Sequence, residues 1–343
     1  MSRILVVGAG LSGCTVAYKL ACNGLEVVLI EKRPEIGGRV RSYGCKAVNK
    51  CQNCGVCLSS GLWEKILQNS HIDVMTNTVL KDIIGEPGCY QAAISSCGAE
   101  KLIDEIDAIA ICTGFDSQSK GLSSHLHIES AEGIITGTQL ESLLQGRTRE
   151  TLFETAPKSV AFIQCLGSRD RKEGGMYCSR VCCAYSTRSA KVIKSYYPDC
   201  EIVFFYMELQ NVQTGDYYSG LLEQGMEFIK CRPIKVIGGE KVGVEYDDPA
   251  TGMSKREFDL VVLSDGIHEG ADNESIAEIC GLGLDDFGFL KQGSPGSGIY
   301  VSGCARMPMK IGEAYADAEA LASKISAVGA DVPGRPYDTE DCK

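Results

Sequence analysis

The sequence predicts an α/β protein made of two Rossmann-like units, the second lacking the glycine turn of the first. Three observations carry that expectation. A G-x-G-x-x-G segment, Gly8-Ala9-Gly10-Leu11-Ser12-Gly13, stands between an apolar strand and a helix at the very N-terminus. A second strand–helix–strand unit starts at Ser159, and its first strand runs into Cys165 where a second glycine motif would stand. Parallel α/β units read this way, as apolar β-branched runs alternating with helical segments.

Composition sets the frame. A chain of 343 residues with 44% hydrophobic content can build more than one core. Its 34 Lys+Arg against 45 Asp+Glu give a net charge of -11, which argues against nucleic acid as a partner. The apolar run Ile4–Val7 is too short for a signal sequence or a membrane span, so a cytoplasmic protein without a transmembrane segment is expected. Eighteen cysteines exceed what a chain with its own core requires as staples, and they read as metal ligands or redox thiols. The scattered Cys22, Cys89, Cys112, Cys200, Cys231 and Cys280 are expected as small buried hydrophobes.

Taken in order, Ile4–Val7 is a buried strand, Cys14–Asn23 a helix and Val27–Glu31 a second strand. A helix at Leu62–Asn69, a strand at Ile72–Thr76, a hairpin near Tyr90–Ser95 and a strand at Ala108–Thr113 follow. The polar stretch Asp116–Ala131 marks a crossing, with a short helix at Thr138–Leu144 inside the connection. Strand Ser159–Gln164, helix Cys183–Tyr196 and strand Ile202–Met207 form the second unit. Strand-like pieces at Glu227–Ile229, Ile234–Ile237, Val242–Tyr246 and Phe258–Leu263 complete it. Strand Ile299–Ser302 and helix Glu313–Ala327 close the chain. The expected domains are 1–115 with 286–328, a connection at 116–157, a second domain at 158–285, and a tail at 329–343.

The first glycine motif is weak alone and strong in context. It follows a strand, opens a helix, and is answered by Glu31 at the end of the next strand, where a carboxylate meets ribose hydroxyls. Its glycines let the backbone approach a pyrophosphate whose charge faces the helix N-terminus. The bland alternative is a glycine turn without a ligand.

Cys165, Cys178, Cys182 and Cys183 make a compact second motif, the first at a strand end and the last three near a helix start. Residues four apart share a helix face. Four converging thiolates suit an iron-sulfur cluster or tetrahedral zinc. Arg169, Arg171, Lys172, Arg180 and Arg188 can offset their charge. Two buried thiols plus a Cys178–Cys182 disulfide, or a dithiol active site, are the competing readings.

Gly37-Gly38-Arg39, the strand end Thr113-Gly114 and the late strand running into Gly303 together resemble two-dinucleotide-binding-domain flavoproteins of the thioredoxin-reductase-like fold. The segments 164–170, 177–183, 225–229 and Gly303-Cys304-Ala305 resemble the A-type subunit of heterodisulfide reductase, over Ser2 to about Val328. The resemblance implies FAD at Gly8, Gly10, Leu11, Ser12, Gly13, Glu31 and Lys32. It also implies FAD contacts at Gly38, Arg39, Val40, Thr113 and Gly114, and at Gly303, Cys304, Lys310 and Ile311. It implies a [4Fe-4S] cluster on Cys165, Cys178, Cys182 and Cys183. Homodimerisation and assembly with B-like and C-like subunits follow, as in trimmed bacterial versions tied to dissimilatory sulfur metabolism. Relatives carry Gly-Asp where this chain has Gly303-Cys304, and a thiol does not replace a carboxylate at the ribityl chain.

A further group, Cys51-x-x-Cys54-x-x-Cys57 with Cys45 nearby, stands open between a second cluster and redox-active thiols, with zinc third. His125 and His127 read as solvated loop histidines, and His268 as a capping or surface residue. No Ser/His/Asp frame or carboxylate pair stands out.

Overall fold

A computed structural model describes residues 2–117, 132–146, 148, 152–171, 175–210 and 216–330. The chain divides into two compact units. The first holds Met1–Arg41, Gly55–Asp116 and Glu269–Lys343; the second holds Ser42–Cys54 and Ser117–His268. Most of the polar crossing, His125, His127, Lys172 and the tail from Val332 lie outside the described residues. Among the described residues no helix is long and apolar enough to cross a membrane.

The first unit opens with β1 (Arg3–Val7), α1 (Leu11–Cys22) and β2 (Glu26–Ile30), then α2 (Leu62–Gln68) and β3 (Ile72–Met75). Strands β4 (Thr78–Glu86), β5 (Cys89–Ser96) and β6 (Ala99–Ile111) form an antiparallel meander. β6 begins well before the expected Ala108, because its first half, rich in charged residues, is exposed almost throughout instead of running apolar. Its apolar end, Ala108–Ile111, pairs in parallel with β1.

The second unit contains β7 (Ile134–Thr136), α3 (Gly137–Leu143), β8 (Ser159–Leu166), α4 (Cys182–Tyr196), β9 (Glu201–Phe205), α5 (Asp216–Glu223) and β10 (Met226–Ile229). Next come β11 (Lys235–Ile237), β12 (Val242–Asp248), β13 (Gly252–Phe258) and β14 (Leu260–Asp265). A parallel sheet of order β10-β9-β8-β14-β7 carries the helices on one face; the antiparallel β11-β12-β13 sheet covers the other. All eight residues of β8 are buried, as befits a central parallel strand. α3 starts with a reciprocal cap in which Thr136 Oγ1 accepts from Gln139 N and the Gln139 side chain accepts from Thr136 N.

The chain then returns to the first unit with α6 (Asn273–Cys280), β15 (Ile299–Val301) and α7 (Ile311–Ala330). This return comes at Glu269, earlier than the expected 286, because Ile276, Ala277 and Cys280 of α6 bury against the β1–β6 core. β15 pairs with the end of β6, completing a sheet of order β3-β2-β1-β6-β5-β4 with β15 beside β6. α7 packs its Ala318, Leu321, Ala322 and Ile325 into the core shared with α1.

Candidate functional site

In the first unit the glycine turn is built by close backbone approach. Gly8 has φ +97°, and a Cβ there would lie 2.6 Å from the Cys112 carbonyl oxygen; a Cβ on Gly13 would run into the Gly8 carbonyl. Gly10, by contrast, faces nothing within 4 Å. It is the N-cap of α1 and supplies no side-chain cap, so the first N–H groups of that helix face the space beside Gly10. Gly38 lies against the same turn, since a Cβ on it would sit 2.8 Å from Gly10 Cα. Gly303, at φ +69°, lies against Ser12.

Glu31 is buried, and its carboxylate accepts from Ala9 N at 2.7 Å and Arg33 N at 3.0 Å. A carboxylate has lone pairs left for a hydroxyl after two such bonds. Thr113 stands at the exit of β6 beside Gly8, and its buried Oγ1 has no protein partner. The loop after β15 is fixed from α7, where Asp317 accepts from Ser302 Oγ at 2.7 Å and Gly303 N at 2.8 Å and pairs with Arg306 at 3.0 Å. The open cradle at Gly10, the uncapped helix start and the orphaned Thr113 hydroxyl fit a dinucleotide such as FAD.

The remaining expected contacts fall in different places. Leu11 is buried in the core, leaving its backbone to the turn, while Val40 and Ile311 are partly buried against that core. Lys32 is half exposed and pairs with Asp272. Arg39 donates to Phe115 O at 3.0 Å and to Asp116 at 2.9 Å, holding the segment after β6. Lys310 is half-buried, and its N–H donates to Glu313 at 2.9 Å. Cys304 turns inward to the Met309 carbonyl at 3.6 Å, and burial pushes its thiol up to about 12.

In the second unit β8 continues through Cys165 instead of stopping at Gln164. Its pairing with β14 slips there: Ile163 faces Leu263 and Leu166 faces Asp265, so Gln164 and Cys165 together oppose Ser264. This is a β-bulge, with Cys165 in the left-handed region at φ 63°. Regular alternation would send Cys165 to the face of Ile163. The bulge delivers it instead to the face of Val160 and Phe162, in one core with Cys182 and Cys183. Cys178 lies four residues ahead of Cys182, the first residue of α4, so the two do not share a helix face. It stands in the loop before α4, where Arg180 takes φ 63° and donates its N–H to Cys178 Sγ at 3.3 Å.

Cys165, Cys182 and Cys183 are 3%, 2% and 4% exposed, and Cys178 is half-buried. Hydrogen bonds from the Cys165 and Cys183 side chains hold the Cys182 thiol well below its ordinary range, helped by the N–H groups of Cys165 and Cys183. Sharing with Cys182, then burial, pushes the Cys165 and Cys183 thiols up, and Cys178 adds to both. The three buried sulfurs thus share hydrogen bonds, with Cys178 close enough to act on them by charge. Among the described residues no three His, Cys, Asp or Glu side chains surround a single ion position. Hydrogen-bonded thiols sit closer together than ligands spread around a cubane, so loading a cluster would spread them; four soft sulfurs are nonetheless the donor set that an iron-sulfur centre takes. Buried Gln164 Oε1, Gln164 Nε2 and Arg169 Nη1, flanking Cys165, lack protein partners. Arg169 spends its other nitrogen on Glu208 at 3.1 Å.

The segment after β14 carries the cysteine loops. Ser168 Oγ and Ser179 Oγ hydrogen-bond at 3.1 Å directly over Gly266, where a Cβ would lie 2.6 Å from Ser179 Cβ and 2.8 Å from Ser168 Oγ. Gly266→Ala is expected to cost about 1–3 kcal/mol through overpacking. It should also open Cys165, Cys182 and Cys183 to alkylation in the metal-free chain, read by denaturant unfolding and mass spectrometry.

The loop 42–54 contains Cys45 and Cys51, both exposed, and half-buried Cys54; exposed Cys57 falls in the first unit. Of the scattered cysteines, Cys112, Cys200 and Cys280 are buried, while Cys89 is exposed and Cys22 and Cys231 are half-buried. Cys89 starts the exposed end of β5, where no core reaches it. His268 is half-buried, its ring edge-on to Tyr177 at 6.5 Å. Lys46 with Glu141, Gly266 and Asp317 were not foreseen, since each acts through a partner distant in sequence.

Residues 6–55 match the NAD(P)-binding Rossmann-like domain family. The A-type subunit of the H(2):CoB-CoM heterodisulfide,ferredoxin reductase of Methanothermobacter marburgensis is 24% identical over 94% of this chain and 63% of its own length. The A-type iron-sulfur subunit of the CoB--CoM heterodisulfide reductase of Methanocaldococcus jannaschii has the same identity and coverage. The chain therefore spans under two thirds of these relatives. Among solved structures, thioredoxin reductase from T. acidophilum superposes with a TM-score of 0.62 at 16% identity, covering 96% of this chain and 100% of that one. An NAD-dependent persulfide reductase from A. fulgidus gives 0.60 at 19% identity, covering 94% and 59%. Over nearly its full length the chain is similar to the A-type subunit of heterodisulfide reductase, and its fold is thioredoxin-reductase-like.

Proposed function

We propose that the chain is an FAD- and [4Fe-4S]-containing electron-transfer subunit of a heterodisulfide-reductase-like complex in dissimilatory sulfur metabolism. The observation that carries this reading is the gathering of Cys165, Cys178, Cys182 and Cys183 by a β-bulge and a helix start. In pyridine-nucleotide-dependent relatives a second glycine turn stands at that strand end, so we read the second nucleotide site as degenerate. A flavin exchanges electrons singly or in pairs and a cluster exchanges them singly, which joins two-electron to one-electron partners.

The protein's own share is positioning and charge. The backbone around Gly10 and the start of α1 receive a pyrophosphate, Glu31 receives ribose hydroxyls, and Thr113 offers its hydroxyl beside them. Cys165, Cys178, Cys182 and Cys183 hold the cluster as thiolates, releasing their protons on loading. Main-chain N–H groups already aimed at Cys178, Cys182 and Cys183 stabilise that negative charge. Homodimerisation, B-like and C-like partner subunits and a cytoplasmic location belong to the same proposal. The loop cysteines stay open between a second cluster and redox thiols.

Iron and acid-labile sulfide per flavin test the reading, with about four of each expected for one cubane. Protein with intact flavin and no iron overturns it. The second reading is a self-contained NAD(P)H-dependent disulfide or polysulfide reductase with Cys178 and Cys182 as a dithiol. The fold of the persulfide reductase and the low-lying Cys182 thiol favour it. Rapid bleaching of the flavin by NADPH in the isolated chain would establish it.

A further inference from the structure

Gln164 is the one residue of the bulge whose placement no packing argument explains. It is 5% exposed, and both polar atoms of its amide lack a protein partner. Leaving such a group unsatisfied costs about 1–3 kcal/mol, where leucine or methionine at the end of a buried strand would cost nothing comparable. The bulge sets Gln164 and Cys165 side by side opposite Ser264, so the amide shares the sheet face that receives Cys165. Cys165, Cys182 and Cys183 are buried in the core on that face. Arg169, five residues after Gln164, has a buried nitrogen without a partner.

We propose that the Gln164 side-chain amide is a hydrogen-bond donor to the iron-sulfur centre held by the four cysteines, and thereby raises its reduction potential. The inference rests on the cluster reading above and adds a residue to it. The reduced centre carries one more negative charge than the oxidised one, so a donor aimed at its sulfur stabilises the reduced form more. The carbonyl end of the amide is left for a buried water or for a neighbouring donor.

The test uses the full holoprotein. Iron and sulfide are measured first, and a native chain without them defeats the cluster reading, not the role of Gln164 alone. In Gln164→Met, which keeps the volume and removes the amide, iron content should stay and the potential from a paramagnetic-resonance titration should fall. The expected change is about tenfold in the reduction equilibrium, or about 59 mV for one electron. An unchanged potential in iron-replete Gln164→Met overturns the proposal and leaves Gln164 as a water-binding residue. Should that variant fail to load iron, native protein labelled with nitrogen-15 in glutamine side chains decides. A hyperfine coupling between that nitrogen and the reduced centre supports the proposal, and its absence overturns it.

Discussion

Gly10→Ala is expected to fold as stably as the native chain and to lose its flavin, whereas Gly13→Ala should lose both. The contrast follows from what each added Cβ would meet. At Gly13 it runs into the Gly8 carbonyl, a backbone atom held by the Gly8 N–H bond to Ile30 O at 2.8 Å. That turn cannot give way without disturbing β1 and β2. At Gly10 the Cβ meets no protein atom, so folding is unaffected, but the methyl occupies the cradle where a pyrophosphate must approach. A loss of at least about hundredfold in flavin affinity corresponds to about 2.8 kcal/mol. Flavin content after purification and titration of the apoprotein with FAD read the effect, and thermal unfolding of the apoprotein reads the control. Native-like flavin binding in Gly10→Ala would show that the cradle is not the pyrophosphate site.

Much of this turn was legible in the sequence because its determinants are local. Strand, glycine spacing, helix and Glu31 lie within thirty-one residues, and each reports on its immediate backbone. The same held for β8, α4 and β9, whose apolar runs match a central parallel sheet. Elements whose residues alternate on a half-exposed surface were harder. β13 has the pattern Gly-Met-Ser-Lys-Arg-Glu-Phe, with only its last residue buried, and became a strand because β12 pairs with it along its whole length. α6 was missed because its short apolar face, Ile276, Ala277 and Cys280, gains meaning only from the first unit's core.

The cysteine site shows the division within a single motif. Spacing singled out the four cysteines and set the last three near a helix start, but nothing in the composition announced a bulge at Gln164–Cys165. A left-handed cysteine is costly, by about 1–3 kcal/mol, and is maintained by the surrounding fold. Such strain depends on β14, some hundred residues later, and so leaves no local trace.

Lys46→Met is the other change with a large expected effect. Lys46 and Glu141 form an ion pair whose side chains are only 3% and 7% exposed; no other ion pair among the described residues buries both partners this far. The pair ties the cysteine-bearing loop to α3. Lys46 also donates to Gly44 O at 2.9 Å, and Gln52 donates to Lys46 O. Gly44 itself lies so close to the Leu144 carbonyl that no Cβ fits. Burial pushes the Glu141 carboxyl up and Lys46 pulls it back, so removing the ammonium leaves a buried carboxylate without its counter-charge. Breaking such a pair from one side costs about 3–5 kcal/mol, while replacing both partners by apolar groups is often neutral. Lys46→Met should therefore be strongly destabilised, and Lys46→Met with Glu141→Leu should recover most of the loss. The sign of the pH dependence follows. A carboxyl whose folded pKa is raised contributes stability below its unfolded value and loses it as pH rises through the folded one. The defect of Lys46→Met should thus be larger at pH 8 than at pH 5, and should lack that slope in the double variant. Urea unfolding at both pH values measures this, and a pH-independent defect would mean that lost packing of the lysine stem, not the stranded carboxylate, dominates.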